Sequence, residues 1–253
     1  MEHITSRANP LLTRVRKLRD DRKVRRQEKL YLCDGVKMLE EALCWNAPIE
    51  TVILSEDLAN TPLSYTGRTV AIPGALMRSI SPMEAPQGAL FLVRMPELSP
   101  PEVLPGSHYL ILDGLQDPGN VGTILRTADA FGCDGLLLTN HCADPFNPKA
   151  VRSTMGAIFR TPIWEVSADA LPGLLARSGL TLAATALRDD TVSLPDAELD
   201  RTAVIIGSEG SGVSPALLAQ CASTIRIPME STCESLNAAA AAAVVLWELY
   251  RRR

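Results

Sequence analysis

The sequence has no apolar run that could cross a membrane: its longest, Ala238 to Trp247, is far short of the roughly 20 residues needed. It opens on "MEHITSRANPLLTRVRKLRDDRK", which lacks the apolar core of a secretory leader and carries acids that a transit peptide avoids. The expected location is the cytoplasm, with no membrane partner. Six cysteines (Cys33, Cys44, Cys133, Cys142, Cys221, Cys233) form no CxxC pair and no metal-like spacing. Scattered cysteines in a reducing compartment behave as small buried hydrophobes. His141 and Cys142 sit side by side, but nothing nearby completes a zinc set, so no metal is expected. The glycine order of a dinucleotide loop is also missing. "GNVGTILR" is not G-x-G-x-x-G, and "GSEGSG" has no clear helix start behind it, which argues against a nucleotide-dependent oxidoreductase.

What is present is an ordinary globular composition, 46% hydrophobic and 21% charged over 253 residues. The length suits one large domain or two modest ones. The formal net charge of −4 hides an asymmetry. Residues 1–30 hold ten Lys or Arg against four acids, and the remainder fifteen against twenty-five. A basic arm on an acidic body reads either as a site for a polyanionic partner or as the solvated face of an amphipathic helix.

A Pro-rich joint, "MPELSPPEVLPGS" at 95–107, reads as a linker. Before it, residues 1–94 comprise the basic helical arm and a small α/β domain with strands in "LYLCD", "IETVILS", "TVAIP" and "GALFLVR". After it, residues 108–253 alternate. "HYLILD", "GLLLT", "LTLAATA", "AVIIG" and "STIRIP" read as strands. "VGTILRTADAFG", "PKAVRSTMGAIF", "ADALPGLLARSG" and "SPALLAQCA" read as helical segments between them. Such alternation implies a mostly parallel sheet covered by helices.

Three stretches lie where strands end: "LDGLQDPGNVGTILRTADAFG", "IIGSEGSGVS" and "IRIPMESTCESLNAAAAAA". Open parallel sheets bind ligands beyond the carboxyl ends of their strands. Each polar residue here also has a structural reading. Asn120 and Ser235 stand where a helix cap would. Arg126 and Asp129 have the i, i+3 spacing of an ion pair. Glu209, between glycines, suits a carboxylate that accepts backbone N–H groups. Asn237 is the odd one, since asparagine disfavours helices yet directly precedes six alanines. Alanine buries little surface, so something must approach that helix closely.

Together the three stretches resemble the signature motifs of the SpoU (TrmH) family of RNA ribose 2′-O-methyltransferases, in the SPOUT superfamily. Asn120, Gly122, Arg126, Thr127, Ala128, Phe131 and Gly132 match the first motif. Gly207, Glu209, Gly210 and Gly212 match the second, and Ile227, Pro228, Met229, Ser235, Leu236 and Asn237 the third. "RANPLLTRVRKL", "YLCDGVKMLEEAL" and "PQGALFLV" resemble the family's RNA-binding extension. A departure is Ala238, where members often have Val.

The resemblance implies an α/β fold with a parallel-sheet SPOUT domain, a deep trefoil knot near the carboxyl terminus and a small L30e-like RNA-binding domain in front. It implies S-adenosylmethionine as cofactor, bound at Gly207, Ile227 and Leu236. Asn120, Arg126, Glu209, Ser235 and Asn237 would form the catalytic site. Arg126 would either steer the 2′-hydroxyl proton away or clamp the adjacent phosphate, the role its planar fork suits best. Ribosomal RNA is favoured over transfer RNA as substrate, with a homodimer through the catalytic domain. A catalytically inactive RNA-binding protein is the other reading, but no motif is broken.

Overall fold

The structure is a computed structural model that describes all residues except Asn140, Leu187, Asp189, Cys233, Glu234 and Arg253. The expectation for Cys233 therefore lies outside the described residues. In chain order the elements begin with β1 (Glu2–His3), α1 (Pro10–Asp20), α2 (Arg22–Glu28), β2 (Leu30–Asp34), α3 (Val36–Cys44), β3 (Ile49–Ser55), β4 (Arg68–Ile72), α4 (Gly74–Ile80) and β5 (Ala89–Arg94). Next come β6 (His108–Asp113), α5 (Pro118–Ala130), β7 (Gly135–Leu138), α6 (Pro148–Ser153), β8 (Ile163–Glu165), α7 (Leu171–Ser178) and β9 (Thr181–Thr185). β10 (Val192–Ser193), β11 (Thr202–Gly207), α8 (Pro215–Leu218), β12 (Ser223–Arg226) and α9 (Ala238–Arg251) complete the series.

Two compact units result: Met1–Pro96 with Asp144–Phe159, and Glu97–Ala143 with Arg160–Arg253. The first is built on a mixed sheet of order β1-β4-β3-β5-β2. Asn9 caps α1 by accepting from the Leu11 N–H, and Pro10 supplies the fixed φ of a first helical turn. Leu11, Leu12, Val15 and Leu18 then fall on one face and are buried against the sheet, so the Lys and Arg residues between them turn outward. The basic stretch is thus a docked amphipathic helix rather than a loose arm. Asp21 ends α1 and caps α2 through the Lys23 N–H.

The stretch "PKAVRSTMGAIF", expected within 108–253, belongs instead to this first unit. Phe146 packs on Tyr31 at 4.9 Å between ring centroids, and Phe159 on Phe91 at 6.4 Å. Asp144 receives the buried Arg25 guanidinium at 2.8 Å, while a second Arg25 nitrogen donates to the Leu18 carbonyl at 2.7 Å. The joint at 95–107 also differs from a free linker. Leu104 is buried in the second unit's core, and the Leu98 carbonyl accepts from the Glu165 N–H. Its prolines remove donors, but its leucines still bury.

The second unit is a seven-stranded sheet of order β10-β12-β9-β11-β6-β7-β8, parallel throughout, as the alternation implies. On one face Tyr109, Ile111, Ala203 and Ile205 pack with Leu171, Leu174 and Leu175 of α7 and Leu217 of α8. Their neighbours Leu110, Leu112, Val204 and Ile206 point the other way and are equally buried. There α5 and α9 pack against each other and against β7 and β11. The alanine run allows this approach: Ala238, Ala239 and Ala242 are all buried. At the far end of α9, Arg251 and Arg252 both donate to Glu248, and Arg252 also reaches the Leu194 carbonyl. No helix among the described residues is long and apolar enough to cross a membrane.

Candidate active site

The chain runs from β6 to β7 and β8 toward one edge of the parallel sheet, then resumes at β9 on the far side of β11. A reversal of this kind opens a crevice beyond the carboxyl ends of the central strands. Gly207 ends β11 there. A Cβ at this position would strike the backbone of Gly212 and Val213, so only glycine lets the chain pass over it. Ser208 and Gly212 exchange backbone hydrogen bonds of 3.1 and 2.9 Å, closing a tight loop around Glu209, and Gly212 takes a left-handed φ of 65°.

Asp113, at the end of β6, fixes the exit of that loop. Its carboxylate is buried, accepts from the Thr139 hydroxyl at 2.6 Å and takes the Ser214 N–H at 2.8 Å. Sequence reasoning passed over it. The only signal was an acidic residue at the end of an otherwise apolar strand, "HYLILDG".

Beside the loop lies a cavity of about 300 Å³, lined by Gly207, Glu209, Ile227, Ser235 and Leu236 together with Ala238 and Ala241 of α9. Its walls are largely isoleucine, leucine and alanine, with Arg226, Ser208 and Thr185 adding polar groups. All three residues expected to hold a cofactor line it, as do Glu209 and Ser235. Asn120 and Asn237 join the group by hydrogen bonds. The Asn237 amide donates to Asn120 Oδ1 at 3.2 Å, and the Asn120 amide donates to Glu209 Oε1. One polar chain therefore links the three motif stretches.

Two capping readings change in the structure. Asn120 lies inside the first turn of α5, which is capped by Asp117 accepting from the Gly119 N–H at 2.9 Å. Asn237, not Ser235, caps α9: its Oδ1 accepts from the Ala239 and Ala240 N–H groups at 2.9 and 3.3 Å. The asparagine is therefore at the helix boundary, where its short polar side chain is favoured rather than penalised.

Arg126 stands apart. It is exposed on α5, does not line the cavity, and its guanidinium makes no hydrogen bond or ion pair among the described residues. The i, i+3 pair with Asp129 does not form. Asp129 instead takes Arg160 at 2.8 Å and the Thr161 hydroxyl at 3.2 Å. With Asp129 engaged elsewhere, the donor fork of Arg126 is unoccupied among the described residues.

Residues 107–247 match the model of the SpoU rRNA Methylase family, and residues 9–90 match an MRM3-like substrate binding domain. The chain belongs to the SpoU rRNA methylase family. It is 30% identical to a 23S rRNA (guanosine(2553)-2′-O)-methyltransferase of Bacillus subtilis, over 98% of this chain and 99% of that protein. It is 31% identical to a 23S rRNA (uridine(2479)-2′-O)-methyltransferase of Streptomyces viridochromogenes, over 99% and 92% of the two. Among solved structures it resembles the AdoMet-bound rRNA methyltransferase of Sinorhizobium meliloti, with a TM-score of 0.88 and 27% identity, covering 99% and 98% of the chains. The second unit thus carries the parallel-sheet methyltransferase fold of the SpoU family.

Proposed function

We propose that this SpoU-family chain transfers a methyl group from S-adenosylmethionine to a ribose 2′-hydroxyl of ribosomal RNA. The observation that carries the reading is the meeting of all three motif stretches at one cavity, through Asn237, Asn120 and Glu209. Both named methyltransferase relatives act on 23S rRNA and align along nearly the whole chain. The cavity suits the cofactor. Ile227, Leu236 and the alanines of α9 offer an apolar slot for an adenine ring, and Gly207 lines the same cavity with its Cβ face closed by the Gly212–Val213 backbone. When bound, S-adenosylmethionine supplies an electrophilic methyl group on a sulfonium.

In this reading Gly207, Ile227 and Leu236 hold the cofactor, and Asn120, Glu209, Ser235 and Asn237 fix the rim where the ribose enters. Arg126 clamps the adjoining phosphate. As a guanidinium it has no acceptor for a proton, but its five donors fit phosphate oxygens in a bidentate manner. Transfer from sulfur to oxygen requires in-line approach, so positioning supplies much of the rate. The knot that the family resemblance implies is part of this proposal, and the small side chains of α9, which let it pack closely on α5 and β11, suit a threaded carboxyl-terminal segment. The first unit is an L30e-like RNA-binding domain. The molecule works as a cytoplasmic homodimer joined through α5 and α9, where Trp247 and Tyr250 are about half exposed beside Phe131.

The Arg126→Ala variant tests the assignment. Calorimetry should find cofactor affinity unchanged, because the cavity residues are untouched. Transfer of tritiated methyl to undermethylated rRNA should fall by about a hundredfold or more. Undiminished transfer would remove Arg126 from the mechanism.

A further inference from the structure

The first unit contains two cavities, of about 650 and 510 Å³, that share Asp34, Met83 and Arg152. Asp34 ends β2 and is half-buried between them. Ser81, itself buried, donates its hydroxyl proton to Asp34 Oδ2 at 2.5 Å, and its oxygen accepts from the Met83 N–H at 2.9 Å. Ser81 is thereby fixed, and so is the carboxylate. Asp34 Oδ1 has no partner among the described residues, and no cation pairs with the group. Burial raises the Asp34 pKa against the opposing effects of the Ser81 hydrogen bond and the Arg152 charge. An acceptor oriented in this way, in a space of nucleotide size, calls for N–H donors from a ligand.

Arg152 lies on the wall common to both cavities, and among the described residues its guanidinium hydrogen-bonds to the Met83 sulfur. Its charge acts on the neighbouring Asp34, but it makes no contact ion pair among the described residues, so its fork is open to a phosphate. A carboxylate for a base and a guanidinium for the backbone, side by side, are the elements of single-strand recognition. Guanine alone among the four bases presents two parallel N–H donors, N1–H and the 2-amino group, on its Watson–Crick edge. That edge is free only in an unpaired nucleotide.

We propose that these cavities read an unpaired guanosine of the RNA substrate, its Watson–Crick edge on Asp34 and its phosphate on Arg152. The assignment to RNA rests on the methyltransferase reading above, whereas the guanine chemistry rests on the cavities alone.

The test measures binding of the full-length protein to three pentaribonucleotides by fluorescence anisotropy: uridine runs with a central guanosine, inosine or adenosine. The wild type should bind the guanosine probe tightest, inosine several-fold weaker for want of the 2-amino group, and adenosine weakest. Asp34→Asn should erase that order, and Arg152→Gln should weaken all three probes together while keeping it. Thermal unfolding of the same samples reports that each variant is folded, and their cofactor affinity is the separate check on the methyltransferase reading. Equal binding of all three probes by the wild type would overturn the guanine assignment. So would an Asp34→Asn variant that keeps the order. Free GMP bound as tightly as the guanosine probe would overturn RNA as the source.

Discussion

Asn237 does two things at once: its oxygen caps α9 and its amide nitrogen donates to Asn120. The two functions separate by substitution. Asn237→Ala loses both, so it should destabilise the fold by about 1 kcal/mol and cut methyl transfer at least tenfold. Asn237→Ser keeps a capping oxygen but cannot reach across in the same way, so it should melt close to wild type and still lose transfer. Thermal unfolding beside a methyl-transfer assay reads both, and a fully active Asn237→Ser would leave the residue a cap and nothing more. At this scale the sequence was readable for residue type but not for partner. Ser235 and Asn237 are both good caps, and only the start of the helix decides between them. Arg126 and Asp129 have the right spacing to pair, yet Asp129 prefers Arg160, thirty-one residues away, because Arg160 reaches it in the folded unit.

At the scale of elements, strands showed themselves wherever burial imposed a pattern. "HYLILD" and "AVIIG" lie at the centre of the parallel sheet, buried on both faces, and read as continuous apolar runs. β1, β8 and β10 have two or three residues each, too few to carry a period, and passed unnoticed. The placement of Asp144–Phe159 was also invisible, since "PKAVRSTMGAIF" reads as one more crossover helix. What holds it in the first unit is a buried pair distant in sequence, Arg25 with Asp144. Removing one partner of such a pair leaves an uncompensated charge, so Asp144→Ala should lower stability by about 3–5 kcal/mol. Replacing both partners, Arg25→Met with Asp144→Leu, should recover much of that loss. Denaturant unfolding decides, and an Asp144→Ala protein as stable as wild type would mean that the segment is held by its aromatic contacts alone.

For the whole molecule, the excess of positive charge in residues 1–30 is partly consumed by the fold. Arg14 pairs with Glu28 and Glu50, Arg19 with Asp20, and Arg25 and Arg26 with Asp144. The proposed phosphate contacts would then fall to the cations of this stretch with no ion pair among the described residues, Arg7, Arg16, Lys17, Lys23 and Lys29. Point substitutions there are a better probe than deletion of residues 1–94, which would strip Phe146 and Phe159 of the surfaces they pack on. The opposite kind of surface lies on α9, where Trp247, Tyr250 and Phe131 form a ring cluster with centroids 5.7 to 6.0 Å apart. Trp247 is 51% exposed, a large apolar group to leave in water, and its cluster is the proposed dimer contact. Trp247→Glu should therefore sediment as a monomer with its fold intact. A wild type that is itself monomeric would overturn the homodimer. The central claim, methylation of a ribose rather than a base, is tested most directly on the product. Undermethylated rRNA treated with the protein and isotopically labelled S-adenosylmethionine is digested to nucleosides and analysed by mass spectrometry. The label should appear in a single 2′-O-methylnucleoside and be absent when Arg126→Ala is used. Label in a base-methylated nucleoside, or none at all with the wild-type protein, would contradict the account.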